Sequence, residues 1–139
     1  MISEFLIPML KEHFPGRGLV INDRPDPCAV FPAVHPEVGA IEIYDDVDEI
    51  TINAGHFTHG DFSNYDQNLS DEQKHNEIAN DVISFLDDLF ADRVVLWGSH
   101  SRGGGWCYKD AEGSLPPNGE RLYVWSGPLH DGGLTSRSS

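Results

Sequence analysis

Apolar residues at Ile2, Phe5, Leu6, Met9, Leu10 and Phe14 recur every three or four positions, the repeat of one buried helical face. Ser3 stands where an N-cap belongs, and Pro15-Gly16 closes the pattern. Pro8 lacks the N–H that an interior helical residue donates, so the regular part of this helix is expected to start nearer Ile7. A second stripe, His75, Ile78, Val82, Phe85, Leu86, Leu89 and Phe90, runs for about five turns. Its start is marked by Ser70 as N-cap, with Gln73 three residues on completing a capping box. So long a one-sided stripe has to lie on a sheet or another helix.

Between the helices the period changes from three or four to two. Ile41 and Ile43 alternate with Glu42, and Ile50 and Ile52 alternate with Thr51, the signature of half-buried strands. A loop over Asp45-Asp46-Val47-Asp48 predicts a hairpin that sets Tyr44 opposite Glu49, Ile43 opposite Ile50 and Ile41 opposite Ile52. Shorter apolar runs at Leu19–Ile21 and Cys28–Phe31 flank a turn-rich segment and read as strands. Three more are expected at Arg93–Trp97, Trp106–Tyr108 and Leu122–Trp125. Strands in runs, not alternating one for one with helices, predict an α+β fold. The expectation is one domain over residues 1–129, a mostly antiparallel sheet with two helices, the longer packed across one face. A Gly- and Ser-rich tail, 130–139, is expected to be loose.

Charge changes this picture more than length does. The chain carries 23 Asp plus Glu against 9 Lys plus Arg, a net charge of −14, so nucleic-acid backbones and anionic membrane surfaces are repelled on average. The N-terminal segment has Glu4 where a signal peptide carries a basic residue, and its apolar run is interrupted by charge. Cys28 and Cys107 are too few for a disulfide framework or a cysteine zinc site. A reducing cytoplasm is the expected compartment, with both cysteines as small buried hydrophobes.

The densest candidate chemistry is Gly55-His56-Phe57-Thr58-His59-Gly60-Asp61-Phe62. Imidazole and carboxylate are the groups that a divalent metal or a proton transfer requires. If the strand continues through this segment, His56 shares a face with Ile50, Ile52 and Ala54. His59 and Asp61 then share the other with Thr51, Asn53, Gly55 and Phe57. His59 and Asp61 leave a metal site incomplete without a third ligand such as His35 or Glu42. Gly55 and Gly60 could supply a bulge that re-aims His56. The glycine-rich run 98–105 with Arg102 resembles an anion cradle only in its glycines, since no helix follows it.

Two further features point outward. Trp97, Trp106, Tyr108, Tyr123 and Trp125 crowd the C-terminal strands, and strand alternation prevents all five from facing one core. On the polar side of the second helix Glu77 and Asp81 are four apart, while Asp87 and Asp88 occupy its last turn. Like charges at that spacing, and acids near a helix C-terminus, each cost a few tenths of a kcal/mol.

Two function classes follow. The first is a small acidic binding protein, such as an inhibitor, immunity-type antidote or chaperone-like adaptor. It docks a basic protein partner through Glu77, Asp81, Asp88, Trp106, Tyr108 and Trp125, and it needs no cofactor. The alternative is a small metal-binding or hydrolytic enzyme holding a divalent metal with His56, His59, Asp61 and His35. Convergence of the histidines in space favours the second; an exposed acidic and aromatic surface favours the first.

Overall fold

The stripe that opens at Ser70 forms helix α2, Asp71–Phe90, and its capping box is made in full: Gln73 N–H donates to Ser70 Oγ at 3.2 Å and Ser70 N–H to Gln73 Oε1 at 2.8 Å. The computed structural model describes residues 1–24, 26–99, 103–110 and 121–129. The expected tail 130–139 and the connection 111–120 lie outside the described residues. Arg102 lies outside them too.

At its other end α2 closes without the glycine usual there. Asp92 takes the left-handed conformation, with φ of 62°, its N–H donates to Leu89 O, and Arg93 N–H reaches back to Asp88 O at 2.9 Å. This is a Schellman motif, in which an Asp replaces the customary glycine. The Asp92 carboxylate accepts from the backbone N–H and hydroxyl of Ser126, tying the helix end to the C-terminal strands.

Helix α1 spans Ser3–His13 with Pro8 inside it, so it starts a turn earlier than its proline predicts. Two things hold that extra turn. Ile2 is fully buried, and Asp45, far along the chain, accepts the Ser3 N–H at 2.8 Å. Ser3 is therefore not the N-cap; Ile2 occupies that position and offers no side-chain cap. Pro8 is exposed, where water can satisfy the carbonyl it leaves without a helical donor.

Five strands follow one another as an antiparallel meander: β1 (Val20–Ile21), β2 (Ala29–Phe31), β3 (Ile41–Asp45), β4 (Glu49–Ala54) and β5 (Thr58–Ser63). After α2 come β6 (Val94–Ser99), β7 (Gly103–Tyr108), β8 (Tyr123–Val124) and β9 (Gly127–Pro128), paired in the order β7-β6-β8-β9. The α+β class is as expected, with the strands divided between two antiparallel sheets.

Ile41, Ile43, Ile50 and Ile52 share one buried face, each 1% exposed or less. Their register is two residues from the predicted one: Ile43 pairs with Ile52, Ile41 with Ala54 and Asp45 with Ile50. Asp45 belongs to the strand because its Oδ1 accepts the Val47 N–H at 2.9 Å, and the chain reverses just beyond it with Val47 at φ 75°. A two-residue slip preserves side-chain parity, so the isoleucines stay inside. In the same core the rings of Phe14, Phe31, Phe90 and Trp125 meet edge to face or tilted in a series of contacts between 4.9 and 5.8 Å.

Candidate functional site

Helix periodicity puts Glu77, Asp81 and Asp88 on one stripe of α2, at i, i+4 and i+11. Phe85, one turn on from Asp81 and buried, meets Trp106 ring to ring at 4.8 Å. Trp106 and Tyr108, alternate residues of β7, share a side of that strand and touch at 5.7 Å. Tyr108 closes the circuit, because its hydroxyl lies near enough to Asp88 to feel that charge. Partial burial pushes that hydroxyl's pKa up, the Asp88 carboxylate adds to the rise, and Arg93 opposes it. The hydroxyl stays protonated at neutral pH.

Five of the six residues named for partner binding therefore lie on one α2 stripe or against its C-terminal end, an acidic and aromatic strip. Glu77 and Asp81 are exposed, Tyr108 is 38% exposed and Trp106 half-buried over Gly60. Trp125 is not part of it. That indole is 3% exposed and packs on Phe90 at 5.2 Å, so it belongs to the core. Nor is Asp88 a bare charge at a helix C-terminus: Arg93 donates to its Oδ1 from Nε at 2.9 Å and approaches from Nη2 at 2.8 Å. The Schellman turn delivers that guanidinium, which the helical pattern alone did not reveal.

The four residues named for a metal do not come together as one site. Where a continuous strand was expected, the chain turns at Gly55, with φ of 58° and a backbone so close to the Val38 carbonyl that a Cβ has no room. His56 sits on this turn with Nε2 3.3 Å from the Pro36 carbonyl, and Phe57 is buried and no longer on the polar face. His35 opens the turn that carries Pro36, and its own bonds are to other groups, its Nδ1 accepting the Glu37 N–H at 3.1 Å and its ring lying against Gly127. His59 and Asp61 do share the solvent face of β5. His59 pairs with Asn53, which pairs with Glu42, and Asp61 pairs with Thr51, whose hydroxyl donates to it at 3.0 Å. Among the described residues no three His, Cys, Asp or Glu side chains are grouped to hold a metal ion. Cys28 offers no nucleophile either, since burial and then the nearby Asp45 charge push its thiol up to about 11.

One signal in the sequence went unused: from Asp26 to Asp92 the single Lys or Arg is Lys74. That interval supplies β2 to β5 and all of α2, so the negative charge is concentrated on one part of the molecule. At the N-terminal end of the strip Glu77 accepts from Asn64 Nδ2 at 3.2 Å. Asn64 also lines a cavity of about 180 Å³ with Asp48, Tyr65, Asp71, Lys74 and His75, where carboxylates and Lys74 offset one another.

Comparison with known proteins returns no matching family, no matching curated protein and no matching solved structure. Among the described residues no helix is long and apolar enough to cross a membrane.

Proposed function

We propose that the chain is a small acidic binding protein, of the inhibitor, immunity-antidote or adaptor kind, that docks a basic protein through the α2 strip. The observation that carries this reading is that the helix bearing Glu77, Asp81 and Asp88 on one stripe meets the aromatic pair, Asp88 lying beside Tyr108 and Phe85 against Trp106. Carboxylates in a strongly negative region speed encounter with a cation-rich surface and select against acidic ones. Partly exposed Trp and Tyr supply the apolar anchor that charge alone lacks. The competing metal-enzyme reading has no comparable support, since among the described residues no three His, Cys, Asp or Glu side chains are grouped to hold a metal ion.

The experiment is affinity capture with the wild-type chain and a Glu77→Gln, Asp81→Asn, Tyr108→Ala variant, followed by stopped-flow association with the purified prey. A basic prey whose association slows about tenfold or more from low to physiological salt, and slows in the variant, is the expected result. Association rates that are indifferent to salt and to the variant would remove electrostatic docking through α2.

A further inference from the structure

We propose that β1 is a docking edge for one extended segment of a partner protein, apolar at alternate positions and carrying carboxylates. β1 ends the sheet order β1-β2-β3-β4-β5, and β2 is its one strand neighbour among the described residues. The ladder shows which backbone groups face outward. Asn22 N–H points at β2 and donates to the Cys28 carbonyl at 2.9 Å, while the Cys28 N–H turns the other way, to the Ile43 carbonyl at 2.8 Å. Backbone groups of an extended strand alternate in direction, so with the Asn22 N–H aimed at β2, Ile21, which faces Ala29, turns its N–H and C=O to the open edge.

Beside that edge lies a groove of about 340 Å³ lined by Lys11, Phe14, Pro15, Gly18, Leu19 and Ile21. Leu19 and Ile21 share strand parity and present their side chains on one side, while Val20, 50% exposed, faces the other. An added strand bonds to Ile21 through its backbone and places every second side chain, spaced roughly 7 Å apart, against Phe14, Leu19 and Ile21. Charge selects the guest. In a chain of net charge −14 the ionic side chain lining this groove is Lys11, with Arg17 and Arg24 before and after β1 in sequence. Glu12, Asp23 and Asp26 are exposed nearby but do not line the groove. A guest carboxylate therefore meets Lys11, on a surface separate from the α2 strip and of opposite preference.

The test uses two fluorescein-labelled octapeptides that alternate Thr with Val, one ending in two Asp and the other in two Lys, titrated into the full chain by fluorescence anisotropy. The acidic peptide is expected to saturate below about 1 mM and to bind about fivefold tighter than the basic one, the scale of one exposed charge pair. Lys11→Glu, an exposed substitution checked for an unchanged thermal midpoint, should abolish or reverse that preference. Amide exchange at Ile21 should slow in the complex. Equal binding of both peptides, no saturation, a preference that survives Lys11→Glu, or unchanged exchange at Ile21 overturns the proposal. So does a two-chain mass by light scattering that is lost on Leu19→Pro, which would assign the edge to a second copy.

Discussion

The two helices of this protein are stabilised at their N-termini in opposite ways. α2 carries its own instructions: Ser70 and Gln73 cap it reciprocally within one turn of chain. α1 has no such residue in place, and the carboxylate that receives its Ser3 N–H comes from Asp45, on the strand face that holds the isoleucines. One helix is therefore specified locally and can be read from four letters. The other is specified by the fold, and its first turn exists because a hairpin delivers a carboxylate to it. The carboxylates of the two regions differ accordingly. Asp45 is 3% exposed and has two N–H donors, whereas Glu77 and Asp81 stand in solvent.

Both helices bury side chains in the core that holds these isoleucines, so the largest expected effect is common to them. Ile50→Ala should destabilise by roughly 2 to 5 kcal/mol, the range for truncating a buried aliphatic side chain. Urea unfolding measures it, and a loss under about half a kcal/mol would mean that the face is not the shared support. The comparison itself is sharpened by removing each cap. Asp45→Ala takes the acceptor from Ser3 and Val47 together and should cost about 2 to 3 kcal/mol, against about 1 kcal/mol for Ser70→Ala. Equal costs would break the distinction between a fold-supplied and a local cap. A change of opposite sign is expected one turn away. Val47 is a β-branched residue held at φ 75° and half-exposed, so Val47→Gly should raise stability by about 1 kcal/mol. A thermal midpoint that falls would show that the side chain contributes more than its backbone conformation costs.

What was legible follows the same division. The stripe of α2, its capping box and the buried parity of Ile41, Ile43, Ile50 and Ile52 are local patterns, and all appear as read. Register was not legible, because the hairpin loop was counted from Asp45, whose role in the strand depends on its bonds to Ser3 and Val47. The turn at Gly55 was missed for a related reason: glycine within a strand pattern reads as a bulge or as a turn, and here the Val38 carbonyl, packed against it, marks the tight approach. Of the candidate strip, the α2 stripe was visible as helical spacing. Its junction with Trp106 and Tyr108 depends on how two sheets meet around α2, and spacing carries no information on that. Trp125 illustrates the limit, since alternation says that some aromatics turn outward but not which.

The smallest effects test the strip where the comparison is most exposed. Glu77 and Asp81 are like charges four residues apart, and the described structure gives neither a Lys or Arg partner. Asp88 is bonded to Arg93 and lies beside Tyr108, and Arg93 also lies 4.0 Å from Asp87. Neutralising the first pair, with Glu77→Gln keeping an acceptor for Asn64 and Asp81→Asn its shape, should therefore stabilise by a few tenths of a kcal/mol at low salt, as repulsion is relieved. Asp88→Asn should instead destabilise by up to about 1 kcal/mol, because it removes the anion from a partly exposed pair and leaves Arg93 beside Asp87 alone. Thermal midpoints at low and high salt resolve the two, and screening should shrink both differences. If Asp88→Asn stabilises as Glu77→Gln and Asp81→Asn do, the three acids form one uncompensated face. If the signs divide, α2 neutralises the carboxylate at its own C-terminus and leaves the other two free for a partner.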